Sequence, residues 1–260
     1  MRKALTVLTS LILAAPGAAI PLRLEADYRV TFLRLPLIDL SVTAALEAEA
    51  YEAEGVYRTI GLGRWVKRAV ITANATGVRD DHGRLVPRRY DHANLDGRKN
   101  RRTLITRSAD AVTVTADPPL GSLGEPPATP AQKREAVDTL TAIVSFFLHH
   151  PSTPCAPGAK IFDGKQRYDM VLRDLGPDAV KTRAYDGPAR KCEMTYVPIA
   201  GFDADDIPET PIVVEMWMAT VAPGVIAPVK FRGRLSFGSA VIRASRIVAD
   251  GPPLGLVGQK

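Results

Sequence analysis

From Leu24 onward, apolar and polar residues alternate along the chain. Leu24, Ala26, Tyr28, Val30 and Phe32 interleave with Glu25, Asp27, Arg29 and Thr31, which puts one row on each face of a β-strand. Beyond Pro36 the alternation returns in Ile38, Leu40, Val42, Ala44 and Leu46, and the short link predicts a hairpin. Tyr51, Ala53, Gly55 and Tyr57 form a third row. Further strands are predicted over 66–75, 85–92, 102–107 and 111–116, with turns at Asp80–Gly83 and Asp96-Gly97. This half reads as an antiparallel meander. The later half repeats the pattern over 167–173, 179–185, 190–197, 212–221, 227–237 and 239–248.

One segment departs from this grammar. Thr129-Pro130-Ala131-Gln132 combines a capping Thr, a Pro at the first helical position and a Gln three residues after the cap. Val137, Leu140, Ile143, Val144, Phe147 and Leu148 then recur at helical spacing, opposite Lys133, Arg134, Glu135 and Asp138. The spacing predicts a single amphipathic helix over about 130–149, ended by His149-His150-Pro151. Its apolar stripe must be covered, and the concave side of the sheet is the place for it. The expected architecture is mainly β: a single curved antiparallel sheet forming an open or spiral barrel, with one helix packed on its concave side. The Pro- and Gly-rich stretch 117–130 reads as the crossover into the helix. That gives one β-rich domain over 20–250, followed by a flexible tail over 251–260.

Composition changes the picture in two ways. The chain has 260 residues, 46% hydrophobic and 24% charged, with a net charge of +6, which excludes a disordered or collagen-like chain. Its 20 Gly and 21 Pro favour many turns and short strands. The N-terminus adds an address. Met1-Arg2-Lys3, an apolar run over 4–15 and small residues at Gly17 and Ala19 describe a signal peptide over 1–19, cleaved near Ala19. The run is well short of the roughly 20 apolar residues needed to span a bilayer. A periplasmic destination is expected, with no transmembrane segment. In an oxidising compartment Cys155 and Cys192, the two cysteines of the chain, read as a structural disulfide.

Candidate chemistry is sparse. His149-His150 lacks a third ligand at metal spacing and reads as a polar helix end that meets the free carbonyls and the dipole. Asp203-Ala204-Asp205-Asp206 with Glu209 suggests Ca²⁺ but lacks the Gly and terminal Glu spacing of a calcium loop; a solvated turn is favoured. Arg88, Arg89, Arg98, Lys99, Arg101 and Arg102 form the densest basic cluster. Nucleic acid is not expected for an exported protein. Anionic lipid headgroups or acidic envelope polymers remain as partners, beside a merely solvated turn. Neither a Gly-x-Ser-x-Gly elbow nor a phosphate-binding glycine loop occurs, and no catalytic residue, metal or cofactor is called for. Asp163-Gly164 favours a tight turn, with Arg167 and Tyr168 following as a structural or ligand-facing motif.

Four blocks of the later half carry a resemblance. They are Ile161-Phe162-Asp163-Gly164-Lys165-Gln166-Arg167-Tyr168-Asp169, Pro198-Ile199-Ala200-Gly201-Phe202, Trp217-Met218-Ala219 and Pro228-Val229-Lys230. With Tyr28, Leu35-Pro36-Leu37 and Leu85-Val86-Pro87-Arg88-Arg89-Tyr90, they resemble an uncharacterised family of exported proteobacterial proteins, the domain of unknown function DUF3108. The resemblance spans about 28–248 and implies an envelope protein similar in outline to the open β-barrels of the LolA/LolB lipoprotein carriers. It implies no catalytic residues. The chain departs from the family at its first turn, where a Gly expected near Leu33–Leu35 is missing. The favoured expectation is a non-enzymatic periplasmic protein that serves envelope maintenance by binding a lipid, lipoprotein or protein partner. The alternative is an envelope hydrolase or transferase with His82 or His92 as base, which requires one of them to sit in a cleft beside a Ser or a carboxylate.

Overall fold

A computed structural model describes residues 21–66, 68–95, 100–235 and 238–251; the expected signal peptide, Arg98, Lys99 and nearly all of the expected tail lie outside them. Thirteen antiparallel strands form one curved sheet that is not closed. The first seven are β1 (Leu22–Phe32), β2 (Leu35–Leu46), β3 (Ala50–Thr59), β4 (Val70–Arg79), β5 (Leu85–Leu95), β6 (Arg101–Arg107) and β7 (Val112–Asp117). The other six are β8 (Ala159–Phe162), β9 (Arg167–Lys181), β10 (Asp186–Ala200), β11 (Ile212–Ala222), β12 (Val225–Leu235) and β13 (Gly238–Asp250). Each strand pairs with its neighbours in sequence except β7 and β8, which do not pair with each other, and the first strand pairs with the last, from Arg23↔Asp250 to Phe32↔Ala240. Two meanders are therefore joined through the chain ends, and β7 and β8 are left as the edges.

The alternation explains the layering. Leu22, Leu24, Ala26 and Tyr28 of β1 are buried. The intervening charges lie outside, where Arg246 pairs with Glu25 and Arg29 with Asp39. Register slips at Asp27/Tyr28, Thr76/Gly77, Lys191/Cys192 and Trp217/Met218 add twist and bend, so the sheet coils until its ends approach. At the β8–β9 turn, a Cβ on Gly164 would stand 2.7 Å from Cγ2 of Thr103 on β6. The two ends thus meet through side-chain packing and not through a hydrogen-bonded ladder.

Strands and helix differ from expectation in four places. Residues 167–173 and 179–185 do not form two strands: β9 runs unbroken through Gly176 and Pro177, and 182–185 is the turn into β10. The start of the expected strand 66–75 is taken by a short helix, α1 (Gly63–Val66). Strand β8 was not anticipated. The expected single helix is broken into α2 (Pro130–Glu135), α3 (Thr139–Ser145) and a 3-10 turn at Phe146–Leu148. The break has a clear cause. Ala136 is extended (φ −98°, ψ 150°), and Val137 exchanges backbone bonds with β8, its N–H donating to Lys160 O and its carbonyl accepting from Phe162 N. Asp138 then caps a new helix, accepting from Thr141 N at 2.8 Å and Thr141 Oγ1 at 2.7 Å. α3 lies in the hollow of the sheet against β3, β4, β5 and β8. Leu140, Val144 and Phe147 join the main core there. Tyr51 donates to Thr141 Oγ1 at 2.7 Å, and the absent side chain of Gly55 leaves room for Leu140, whose Cδ1 would be 3.1 Å from a Cβ. Cys155 and Cys192 form a disulfide with Cα atoms 5.5 Å apart, tying the segment after the helices to β10.

Candidate functional site

α3 fills the hollow only in part and divides it. On one side lies a cavity of about 860 Å³, running from α3 toward the rim that carries the end of β5, the start of β6 and the β8–β9 turn. This is within the range of small-molecule sites, roughly 300–1,000 Å³. Its walls are the inward rows of β2, β4, β12 and β13, with Leu40, Val42, Ile71, Phe231 and Ile242, and Ile143 from α3. These positions are apolar because each is the inward member of an alternating strand. Ala73, a small residue in mid-strand, keeps the space open.

One end of the cavity is polar. His92 and Asn94 continue the inward row of Tyr90 on β5, and Arg101 faces them from β6, paired with Asn94. The β8–β9 turn brings Asp163 and Lys165 to the same end. Asp163 Oδ1 accepts from the N–H of Lys165 at 2.9 Å and of Gln166 at 2.7 Å, which holds the turn shut. Burial nevertheless pushes its carboxyl above the usual carboxylate range. Burial lowers the His92 imidazole, and the nearby charges of Asp163 and Asp91 oppose that only partly, so a neutral ring is favoured. Lys165 is engaged by Asp203 at 2.5 Å. The arrangement suits a molecule with a long apolar part and a small polar head.

The residues singled out in sequence are dispersed. Gly164 adopts φ +110° at the turn tip. Arg167, 1% exposed, donates to Tyr168 O at 2.8 Å and pairs with Asp169 and Glu135, so it fastens β9 to α2. Tyr168 lines the cavity and packs against Tyr196, ring centroids 4.8 Å apart. The basic cluster does not form one face among the described residues. Arg89 and Arg102 both pair with Asp91, and Arg101 donates to the carbonyls of Pro118 and Pro119. Arg88 lines a second cavity, of about 1110 Å³ across α3, and the cluster is split because neighbours on a strand point to opposite faces. His149 also departs from expectation. It is buried, its Nδ1 lies 3.0 Å from Pro154 O, and burial lowers its pKa, so it is no cationic partner of the helix dipole. His82 sits exposed on the β4–β5 turn, where it lines the second cavity. Asp203 accepts from Ser122 Oγ at 2.6 Å as well as from Lys165. The cavity's polar end was legible only as polar residues on the inward row of Tyr90; the cavity itself gave no sequence signal.

Comparison with known proteins adds the lineage. Among solved structures, a β-barrel-like protein of the domain of unknown function DUF1849 from Brucella abortus is similar, with 11% identity over 90% of this chain and 99% of that one, at a TM-score of 0.45. A Parabacteroides distasonis protein with a provisional lipoprotein name is similar at 10% identity over 86% and 94%, with a TM-score of 0.34. No curated protein matches. The family model described as "Protein of unknown function (DUF3108)" matches residues 27–245, and the chain belongs to that family.

Proposed function

We propose that the chain is an exported, non-enzymatic protein of the cell envelope that holds an amphiphile, a lipid or the acyl chain of a lipoprotein, in the cavity beside α3. The observation that carries this reading is the apolar space left open after the helix has docked, closed at one end by α3 and polar at the other. A folded chain fills its interior to crystal-like density, so a lined void of this size favours an occupant. Envelope maintenance follows as the role because such a carrier serves where lipids move between surfaces. Native mass spectrometry of the protein recovered from an exporting cell tests it. A lipid-sized mass adduct is expected, reduced in Ala73→Phe, which fills the cavity. A bare polypeptide mass, together with no uptake of a fluorescent fatty acid, would overturn it.

A second reading is favoured by His92 alone: a neutral imidazole lining a cavity with a carboxylate, as an envelope hydrolase would require. Hydrolysis of a p-nitrophenyl acyl ester that disappears in His92→Gln would support it. Turnover indifferent to His92 would exclude it.

A further inference from the structure

The strand register places the β1–β2 turn, the β3–β4 loop, and the ends of β5, β10 and β12 on one rim of the sheet. On that rim Leu33 is 61%, Leu62 50% and Trp65 89% exposed, and Leu35 stands beside them. The two segments touch, since Ile60 N donates to Leu37 O at 2.8 Å. Arg34 lies between Leu33 and Leu35 in the turn, and Arg64 and Arg68 line one shallow depression with Trp65, all three arginines being exposed. Residues 33–37 and 60–69 contain no acid, and none of the three arginines is ion-paired among the described residues. Solvent exposure of a tryptophan to this degree is uncommon, and a Trp flanked by arginines is the side-chain chemistry of a bilayer interface.

A second observation is independent of exposure. Leu33 and Arg34 hold φ of +48° and +68°, a conformation that glycine and asparagine adopt at far lower cost. A leucine and an arginine are kept at the turn tip against backbone preference, which points to a role for their side chains there.

We infer that this rim docks on an anionic lipid bilayer, with Trp65, Leu62, Leu33 and Leu35 entering the headgroup region and Arg34, Arg64 and Arg68 meeting lipid phosphates. The cavity's polar end, at Asn94 and Arg101, opens toward the same rim, so a docked molecule would exchange its amphiphile with the bilayer. That last step rests on the carriage reading; the docking does not.

The test uses vesicles of phosphatidylglycerol and phosphatidylcholine against phosphatidylcholine alone. The chain has two tryptophans, and Trp217 is buried and donates to Asp178, so the emission lost in Trp65→Phe reports the rim. A blue shift of that component with the anionic vesicles is expected. Arg64→Glu/Arg68→Glu should weaken cosedimentation by about tenfold or more, and Trp65→Ala should weaken it several-fold. An unshifted Trp65 emission, or cosedimentation unchanged in Trp65→Ala, overturns the inference. A concentration-dependent dimer abolished by Trp65→Ala also overturns it, by making the rim a self-interface. The two proposals fail separately. Vesicle binding lost while the lipid adduct persists removes docking only, and an adduct that is absent while vesicle binding persists removes carriage only.

Discussion

Leu33-Arg34 and His92 illustrate how single residues record competing demands. The first pair sits in a turn that asks for Asn-Gly. Leu33→Asn/Arg34→Gly should therefore stabilise the protein by about 1 kcal/mol, read as a rise in the denaturation midpoint, while vesicle binding falls. A stability gain without loss of binding would show that the strain has no functional side. His92 and His149 have the opposite character, two imidazoles that burial favours as neutral. Unfolded, each takes a proton near the ordinary value of about 6.5; folded, each resists until lower pH. The unfolded state thus binds more protons in that interval, and stability should fall as pH drops through about 6.5, then level off below the depressed folded values. Asp138 and Asp163, both raised by burial, act in the opposite sense: their favourable share is present below about 3.8 and is lost as pH rises through their folded values. Urea midpoints across pH 5 to 8 for wild type and His149→Gln would show the slope near 6.5 reduced in the variant. An unchanged slope would contradict the assignment.

At the scale of elements, the broken helix shows where pattern and backbone diverge. Val137 keeps phase with Leu140 and Val144, so the apolar stripe reads as continuous, but its peptide group is spent on β8. Asp138 pays for the restart. Its carboxylate satisfies the first turn of α3, so Asp138→Ala should cost about 1–2 kcal/mol, whereas Asp138→Asn keeps an acceptor without a buried charge and should cost less at neutral pH. Equal losses in the two variants, measured by thermal or urea unfolding, would mean that the charge and not the cap is what matters. The strands were legible because one face is buried and the other wet, leaving period two in the sequence from β1 to β7. β8 was not, since four residues, Ala159 to Phe162, are too few to display a period. The site was legible even less: His92 and Asp163 share one end of the cavity only because the coiled sheet carries the β8–β9 turn back toward β5 and β6, and no spacing along the chain encodes that approach.

For the molecule as a whole, the sheet's two ends are held by packing at Gly164 and by α3. Gly164→Ala would meet Thr103 and also force a side chain onto φ +110°. It should cost about 1–3 kcal/mol and raise hydrogen exchange in β8 and β6 more than in β1 and β13. Uniform change across all strands would contradict a seam at this contact. The central pairing has a different bearing. Because the opening strand finds its neighbour in the thirteenth, some two hundred residues later, neither half-meander can be completed on its own, and the middle of the sheet stays unzipped until the last segment arrives. A chain threaded outward through a translocation pore from its N-terminus would expose the free edge of β1 throughout its passage. For a chain exported as proposed, whatever shields that edge during transit, a chaperone or the speed of delivery, would govern how much of the protein reaches its folded form.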